Sequence, residues 1–423
     1  MMRAALACVL AAALAAPAAT AAELPLGPRS LKERRVAERV APGVKWTRIV
    51  RRGRGHGPWR INVLRVQSPA TLDAVLADGV VPGREPVSTM AADSAAVAAV
   101  NGGFFGSEGL FDGDPIGALA LGGSPITDPV EGGAPLELTP GGVVSEPVGG
   151  RAALILAGGR RRRAAVAGLR FAGNVEVGAR RRLLDGVNRA RGRIPSCGGR
   201  GGDTPTRRPG GAVVCTDPSE LILYTPGFGA RTRTDRDGVE AIVRQGAVTR
   251  VREAGNSRIP ADGYVLSGSG DAAEMLAVSA PVGAIPVVDL AMRYGSRLLR
   301  PGAYGAVVGG GPRLLKRGRL KVRTRPEGFS AAFAARNPRT LAGVARDGDV
   351  LLVTVDGRQR RSVGVTLVEA ARVMRALGAR NALNLDGGGS SAMVVGGRVV
   401  NRPSDGSERA VSDAIVVSPQ ASG

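Results

Sequence analysis

The feature that most constrains the fold is a set of short apolar runs, each ending directly at an aspartate followed by glycine. Residues 350–355 (VLLVTV) are apolar or β-branched throughout and end at Asp356-Gly357, and residues 382–385 end at Asp386, which three glycines follow. Runs of this length and composition are typical of buried strands that end in tight turns. Since 63 of the 423 residues are glycine and 28 are proline, long regular helices are excluded and a β-rich architecture is favoured.

A helix is predicted between these two strands. Thr366 and Glu369 have the spacing of a capping box, in which each side chain satisfies a free backbone amide at the start of the helix. Apolar residues at helical spacing continue to Leu377, and Gly378 ends the pattern. The other predicted elements are strands over 47–51, 61–66, 221–224, 239–244, 264–267, 392–395, 398–401 and 411–417, a hairpin at 396–397, and helices around 31–40 and over 90–99.

These elements predict the α+β fold class: a mixed, β-rich sheet core with few helices, plus a β-rich insertion. An apolar content of 43% is enough to form a core and excludes a disordered chain. Arginine clusters, a cysteine-containing loop and short β-like runs mark the insertion. The predicted organisation is a signal peptide over 1–22, a charged leading segment over 23–43, one domain over 44–417 interrupted by the insertion at about 174–286, and a tail over 418–423.

The first residues predict export. Arg3 precedes an almost unbroken run of small apolar residues over 4–16, Pro17 interrupts any helix, and Ala19-Thr20-Ala21 is a cleavage pattern. No later stretch reaches the ~18 consecutive apolar residues that a membrane-spanning helix needs. We therefore expect a protein that does not insert into a membrane and that is secreted or lies in the cell envelope after signal peptide cleavage.

Two cysteines remain after the signal peptide, Cys197 and Cys215. In an exported chain, two cysteines in one Gly/Pro/Arg-rich loop most simply form a disulfide. The alternative is a metal site, which lacks partners because the single histidine, His56, is far away in sequence. Calcium on Asp112 or Asp114 is a second metal alternative, because carboxylate oxygens suit that ion, but the same residues are also typical of an acidic turn. No cofactor is therefore predicted.

The formal charge of +22 needs an interpretation. Only four of the 58 basic residues are lysines, and aromatic residues make up 3% of the chain. Nucleic-acid-binding proteins usually combine basic surface with stacking aromatics or a recognisable motif, and neither is present in the sequence. A nucleic-acid partner is therefore disfavoured. Two interpretations stay open, a basic solvated surface and a surface that attracts an anionic partner.

The glycine-rich turn after the second apolar run is a candidate anion site. Successive glycines expose backbone amides, and two hydroxyls follow them, which suits a phosphate or sugar oxygen. A tight turn with no ligand is the alternative. The residues concerned are Asp386, Gly387, Gly388, Gly389, Ser390 and Ser391, together with Asp356 at the end of the other apolar run.

Further candidate residues lie in three other polar segments. Arg339, in the segment Asn337-Pro338-Arg339-Thr340, is a candidate clamp because a guanidinium can bind two oxygens of a phosphate or carboxylate. The remaining candidates for substrate binding are Asn101 and Gly102 beside two phenylalanines, Thr340, and Arg402 and Asp405 in a loop rich in donors and carboxylates.

Taken in order, these motifs resemble the phosphodiester glycosidase family, in its exported bacterial form. Six ordered motifs between about residue 44 and residue 417 carry the resemblance. They are Asn101-Gly102-Gly103-Phe104-Phe105, Gly309-Gly310-Gly311-Pro312, Asn337-Pro338-Arg339-Thr340, Thr354-Val355-Asp356-Gly357-Arg358, the stretch from Asn384 to Ser391, and Arg402-Pro403-Ser404-Asp405-Gly406.

The resemblance implies a hydrolase that cleaves the anomeric C–O bond of a sugar-1-phosphodiester in a cell-envelope or extracellular glycan, releasing the sugar and a phosphomonoester. It implies a phosphorylated carbohydrate as the partner, Asp386 and Asp356 as acid/base or charge-stabilising groups, and Arg339 with the glycine amides and serines as the phosphate site. Asn101 and Asp405 are expected to bind sugar hydroxyls. Two alternatives stay open: a glycan-binding protein without turnover, and a phosphodiesterase that cuts the P–O bond.

Overall fold

The computed structural model describes residues 23–106, 112–128, 152–156, 164–191, 204–207, 213–294, 297–302 and 304–419. Within them, strands β1–β33 and helices α1–α3 are formed, which confirms a mostly β chain with few helices. None of the helices in this part of the chain has the length and apolarity that crossing a bilayer requires. The predicted signal peptide, and Cys197 of the predicted disulfide, lie outside the described residues.

Short strands follow one another along the described ranges, and the three helices lie far apart in sequence. The first strands and helix are β1 Lys32–Ala41, β2 Val44–Gly53, β3 His56–Val66, β4 Thr71–Leu76, α1 Val87–Asp93, β5 Ala98–Asn101, β6 Phe104–Phe105, β7 Pro115–Ile116, β8 Leu119–Leu121 and β9 Ser124–Thr127. The middle elements are β10 Ala152–Ile155, β11 Ala165–Gly168, β12 Arg170–Phe171, β13 Asn174–Val177, β14 Arg180–Leu183, β15 Gly186–Val187, β16 Thr204–Arg207, β17 Val213–Thr216, β18 Leu221–Tyr224, β19 Val239–Arg244, β20 Ala247–Arg252, β21 Gly263–Gly268 and α2 Gly270–Ser279. The last elements are β22 Val287–Asp289, β23 Met292–Tyr294, β24 Arg297–Leu299, β25 Val307–Gly309, β26 Arg313–Lys316, β27 Arg319–Leu320, β28 Arg339–Ala345, β29 Val350–Val355, α3 Leu367–Ala376, β30 Ala379–Asn384, β31 Met393–Val395, β32 Arg398–Val399 and β33 Asp413–Ser418.

The largest sheet has eight strands in the order β1-β2-β3-β29-β28-β30-β26-β27, and each neighbouring pair is antiparallel. Strand β29 lies near its centre, and all six of its residues are buried, as its apolar sequence predicted. Successive side chains of a strand face opposite sides. Leu351 and Val353 therefore pack with helix α3, whereas Leu352 packs on the other side, towards a second sheet.

The second sheet has five strands in the order β32-β31-β5-β33-β4. Its Val100, Met393 and Ile415 share one apolar cluster with Leu64 and Leu352 of the larger sheet, so the main core lies between the two sheets. Helix α1 packs on the outer face of the second sheet. The layers therefore follow the order α3, eight-stranded sheet, five-stranded sheet, α1, with the polar ends of several strands meeting at one edge of the core.

Helix α3 begins as the sequence predicted. The Thr366 hydroxyl accepts a hydrogen bond from the Glu369 amide at 3.2 Å, and the Glu369 carboxylate accepts one from the Thr366 amide at 2.8 Å. The helix ends at Ala376, one residue before the predicted end. Gly378 then has a φ of +100°, a conformation that glycine adopts without strain.

The helix predicted around residues 31–40 is wrong, because this segment is strand β1 and pairs with β2 along its length. Arg51 of β2 is only 1% exposed, and its guanidinium lies 3.2 Å from the Glu33 carboxylate. It also donates a 2.7 Å hydrogen bond to the Leu26 carbonyl. The ladder of backbone hydrogen bonds and this buried ion pair outweigh the helix propensity of a segment rich in Arg, Glu and Ala.

The helix predicted over residues 90–99 is correct only at its start. Helix α1 ends at Asp93, and strand β5 begins at Ala98. The alanines of β5 have high helix propensity, but they are fully buried between β31 and β33 and complete the second sheet. Tertiary packing therefore decides the structure of this segment.

Residues 174–286 contain the strands predicted over 221–224, 239–244 and 264–267. Here β15, β18, β21, β19 and β20 form a sheet in that order. The sheet packs against α2 around an apolar cluster of its own, which includes Leu223, Leu266 and Leu276. That this segment is an insertion into a shorter domain stays a prediction.

Candidate active site

Asn101 joins the two sheets where their polar strand ends meet. It is the last residue of β5 and is fully buried. Its side-chain amide donates to the Asp386 carbonyl at 2.9 Å, and its side-chain oxygen accepts from the Thr340 hydroxyl at 2.6 Å and the Ala392 amide at 3.1 Å. Because these atoms are bound to the protein, Asn101 and Thr340 have the contacts of positioning residues and not those expected of sugar ligands.

The loop after β30 places Asp386 at the surface of a pocket. The Asp386 carboxylate accepts a hydrogen bond from the Gly387 amide at 2.8 Å, and its own amide donates to the Gly102 carbonyl at 3.2 Å. Burial raises the pKa of Asp386 to about 6, against the opposing effects of the Ser390 hydroxyl, the Gly387 amide and Arg409. A carboxyl with this pKa exchanges protons near neutral pH.

Arg339 is a buried cation beside this loop. Its side chain is 2% exposed, and one terminal nitrogen donates to the carbonyls of Phe333 and Ala335, each at 2.7 Å. Within the described residues it makes no salt bridge with a carboxylate. Burial, and the nearby charge of Arg358, lower the pKa of Arg339 to about 10. A buried arginine without a counter-ion is expected to attract an anion.

Arg339, Arg358 and Arg409 line the same pocket as Asp386, which has a volume of about 350 Å³. The guanidinium of Arg358 donates to the Asn337 side-chain oxygen at 2.9 Å and 3.1 Å. Arg409 donates through Nε to Asp405 at 3.0 Å. Three guanidinium groups therefore meet one carboxyl at a single concave surface. The full lining is Phe333, Asn337, Arg339, Arg358, Asp386, Gly387, Gly388, Gly389 and Arg409.

The backbone amides of the glycine loop are less available to a ligand than the sequence suggested. The Gly387 amide is bound to Asp386, and the Gly388 amide donates to the Pro338 carbonyl at 3.0 Å. A side chain at Gly389 would collide with the carboxylate of Asp405 and the guanidinium of Arg409. The glycines thus allow close packing of the loop against its neighbours, and the arginines present the positive charge.

The two serines after the glycines are both buried, Ser390 fully and Ser391 to 2% exposure. Ser390 lies between Asp386 and Arg409, accepting a 3.4 Å hydrogen bond from the latter. The Ser391 hydroxyl has no hydrogen-bond partner among the described residues. Ser390 therefore belongs to the Asp386 hydrogen-bond network.

Asp356 does not line this pocket. It is 4% exposed and accepts a 3.2 Å hydrogen bond from the Arg402 amide, and burial raises its pKa to about 6. The Arg402 loop borders a second depression of about 410 Å³ whose lining includes Gln359, Arg360 and Arg361. Arg358 lines the first pocket and Gln359 the second, so the two depressions are adjacent, and Asp356 lies buried beneath the loop that lines the second one.

Sequence reasoning missed several residues of this region. Asn337 and Arg358 lie in two of the motifs described above, next to residues that the sequence indicated. Their polar side chains were a usable signal for a place in the pocket. Asp413 is a carboxylate in an otherwise apolar final strand; it is 1% exposed and accepts a hydrogen bond from the Gly103 amide at 2.9 Å. Phe333 lies 5.0 Å from the Arg339 guanidinium, and nothing in its sequence context indicates that contact.

The two carboxyl groups that are the alternative calcium ligands lie in different environments. Asp112 forms an ion pair with Arg84. Burial, and the charge of Asp128, raise the pKa of Asp114 to about 8. In the part of the chain that the structure describes, no group of three or more His, Cys, Asp or Glu residues is placed to hold an ion. The geometry of Asp112 and Asp114 therefore gives the calcium alternative no support.

Comparison with known proteins finds a family match over the C-terminal part of the chain. Residues 237–418 match the family model described as Phosphodiester glycosidase. SPbeta prophage-derived uncharacterized protein YomE of Bacillus subtilis (strain 168) is 42% identical over 88 residues, which are 21% of this chain and 14% of that protein. N-acetylglucosamine-1-phosphodiester alpha-N-acetylglucosaminidase of Mus musculus is 39% identical over 77 residues, 18% of this chain and 15% of that protein. The matches thus span only a small part of each relative's own length.

A solved structure matches almost the whole chain. It belongs to a protein of Burkholderia pseudomallei K96243 whose name describes it as expected to be exported. The two are 27% identical with a TM-score of 0.75, over 94% of this chain and 98% of the other. Residues 237–418 of this chain therefore match the phosphodiester glycosidase family, which confirms the resemblance that the sequence motifs indicated.

Proposed function

We propose that this protein is an exported hydrolase that cleaves the anomeric C–O bond of a sugar-1-phosphodiester in a cell-envelope or extracellular glycan. The observation that carries the proposal is the buried, uncompensated guanidinium of Arg339 in one pocket with the Asp386 carboxyl. Such a reaction needs a cationic group that binds the phosphate and, close to it, a group that exchanges protons. The family match and the named activity of the mouse relative support the choice of substrate class.

In this proposal the phosphate of the substrate binds the arginine side of the pocket. Arg339 supplies a desolvated charge, while Arg358 and Arg409 supply charges at the rim. As the C–O bond breaks, the bonding electron pair leaves with the phosphate oxygen and negative charge builds up there. Fixed guanidinium groups stabilise that charge more than they stabilise the starting diester, which lowers the barrier.

Asp386 acts on the sugar side in its ionised form. A phosphate monoester is already a good leaving group, so protonation of the leaving oxygen is less important than stabilising positive charge at the anomeric carbon. The carboxylate stabilises that charge and accepts a proton from the water whose oxygen joins the carbon. The products are the free sugar and a phosphomonoester. Asp356 accepts the hydrogen bond of the Arg402 amide and so holds the Arg402 loop at the second depression.

The test is hydrolysis of the methyl phosphodiester of α-N-acetylglucosamine 1-phosphate in ¹⁸O-labelled water. The proposal predicts free sugar carrying the label at its anomeric oxygen and unlabelled methyl phosphate. Label in the phosphate would replace the proposal with P–O cleavage. Binding without any release of sugar, for this diester and for a panel of other sugar-1-phosphodiesters, would replace it with a glycan-binding function.

A further inference from the structure

A basic face extends from the proposed active site across the outer strands of the eight-stranded sheet. We define it as Lys32 and Arg34 of β1, Arg48 and Arg52 of β2, and Arg60 of β3. These residues line a groove of about 540 Å³. The first four are exposed, and Arg60 is half-buried.

The strand register places this basic face on the same side of the sheet as the site. Val50 lies between Arg34 on one neighbouring strand and Arg60 on the other. Residues directly opposite one another project from the same face. One row further along, Arg48 lies opposite Asn62, which lies opposite Thr354. Because alternate residues share a face, Asp356 projects on the same side as Thr354.

A chain of hydrogen bonds links the basic face to the loop at the second depression. The Asp356 amide donates to the Arg60 carbonyl at 3.0 Å, and the Arg402 amide donates to the Asp356 carboxylate at 3.2 Å. Arg360 and Arg361 border the same depression as Arg402, and the Gln359 side chain donates to the Arg402 carbonyl at 2.9 Å. Arginines therefore line three depressions, that of the basic face, that of the Arg402 loop and the pocket that holds Arg339.

Four of the five charges of the basic face have no ion-pair partner in the described part of the chain, while Arg60 lies near enough to Asp356 for its charge to oppose the rise that burial causes in the pKa of that carboxyl. Among the described residues, Lys32, Arg34, Arg48 and Arg52 form no ion pair. Lys32 lies directly opposite Arg52, an arrangement that is unfavourable unless an anion lies between or above the pair. Glu33 also borders the groove, but its carboxylate is paired with Arg35 and Arg51. The face is therefore complementary to a partner with several negative charges.

The surroundings of these charges favour a phosphodiester-linked glycan over a nucleic acid. The aromatic residue on this face is Trp46, which is half-buried and lies 5.9 Å from the Arg48 guanidinium. It does not offer a series of exposed rings on which bases stack. In an anionic glycan, each repeat can carry one phosphodiester. When one phosphodiester of such a glycan is in the pocket, the phosphodiesters of the neighbouring repeats would lie along the basic face.

We propose that the basic face binds the neighbouring repeats of an anionic, phosphodiester-linked glycan polymer, so that the substrate is a polymer and not an isolated sugar-1-phosphodiester. The assignment of this polymer as substrate rests on the proposed function. Binding of the polymer to the face is a separate property and is measurable without turnover.

The test compares two triple variants. Arg34→Gln/Arg48→Gln/Arg52→Gln removes charge from the basic face, and Arg180→Gln/Arg236→Gln/Arg250→Gln removes three exposed arginines from β14, a loop and β20. Binding to poly(N-acetylglucosamine 1-phosphate) is measured by calorimetry at several salt concentrations, and kcat/KM for the monomeric methyl diester is measured in parallel.

We expect the first variant to bind the polymer about tenfold more weakly with a shallower salt dependence, and the control variant to bind like wild type. The kcat/KM for the monomer should stay within about twofold of wild type in both variants. Unchanged polymer affinity in the first variant, equal weakening in the control, or tighter binding to single-stranded DNA than to the polymer would overturn the proposal. If wild type cleaves neither the polymer nor the monomeric diester, the proposed function is rejected. Loss of polymer binding in the first variant would, even then, support the proposal that the basic face binds the polymer.

Discussion

Three residues of the proposed site are held where burial opposes their charged forms. The pKa values of Asp386 and Asp356 are each raised to about 6, and that of Arg339 is lowered to about 10. Burial is the largest cause in all three cases. Groups of this kind cluster at functional sites, because the protein keeps them in place against a cost in stability. The two carboxyl groups should therefore make activity and stability depend on pH.

Asp386→Asn should lower turnover of a sugar-1-phosphodiester by ~10²–10⁴ while the protein remains folded. The wild-type kcat/KM should fall as the pH drops through about 6, since the carboxylate must be ionised, and this limb should be absent in the variant. Steady-state kinetics across pH measure both effects. The matched control is Asp347→Asn, whose side chain is 60% exposed. Turnover within about twofold of wild type in Asp386→Asn would remove this residue from the mechanism.

Asp356→Asn should stabilise the protein at alkaline pH. The pKa of Asp356 is raised from 3.8 to about 6 on folding, so between these values the folded state binds more protons than the unfolded state. Stability therefore falls as the pH rises through this window, and the cost is complete above it. Urea unfolding should give the variant an advantage of about 1–3 kcal/mol near pH 8 that disappears near pH 4. An equal advantage at both pH values would contradict this assignment.

At the scale of elements, the loop that follows β30 decides the shape of the pocket. A Cβ at Gly389 would displace the ends of two partly exposed side chains, the Asp405 carboxylate and the Arg409 guanidinium. The Asp405–Arg409 pair closes one side of the pocket. The glycine run is thus a packing requirement of the loop, and it fixes where the arginine charge lies relative to Asp386.

Gly389→Ala should displace the ends of the Asp405 and Arg409 side chains, lowering turnover at least about tenfold while changing stability by no more than about 0.5 kcal/mol, because both side chains are partly exposed and can move. The matched control is Gly227→Ala, because a Cβ at Gly227 meets its nearest atom at 3.5 Å, an ordinary contact. Thermal unfolding and steady-state kinetics of both variants measure the difference. Wild-type stability and wild-type turnover of Gly389→Ala would contradict the claim that Gly389 fixes the positions of Asp405 and Arg409.

The elements that the sequence predicted correctly are those with local signals. The apolar run of β29, the capping box of α3 and the glycine pair between β31 and β32 each determine their structure within a few residues. No comparable local signal marks strand β1. It is stabilised by pairing with β2 and by the buried ion pair between Glu33 and Arg51 of β2. Likewise, β5 is a strand because β31 and β33 surround it.

At the scale of the whole molecule, the site exists because two sheets pack face to face. Asn101 of the five-stranded sheet binds Thr340 of the eight-stranded sheet and the Asp386 carbonyl. The sequence indicated Asp386 and Arg339 from residue type and motif, and the structure places both in one pocket. It did not indicate Phe333 or the buried Asp413, nor that Asp356 lies outside the pocket of Asp386, because those relations depend on packing between distant segments.

The positive charge of the molecule also has a structural context at this scale. Part of the net charge of +22 lies along the basic face and the depressions next to it. The proposed binding of an anionic glycan polymer takes the second of the two interpretations that the sequence left open, a surface that attracts an anionic partner.

The proposed reaction depends on one contact: Arg339 binds the phosphate of the substrate in the pocket that it shares with Asp386. Calorimetric titration with α-N-acetylglucosamine 1-phosphate tests this directly, using wild type, Arg339→Met, and Arg372→Met as the control for an exposed arginine of α3. We predict one binding site per chain, weakened at least about tenfold in Arg339→Met and unchanged in the control. Equal affinity in wild type and a folded Arg339→Met protein would contradict this role of Arg339.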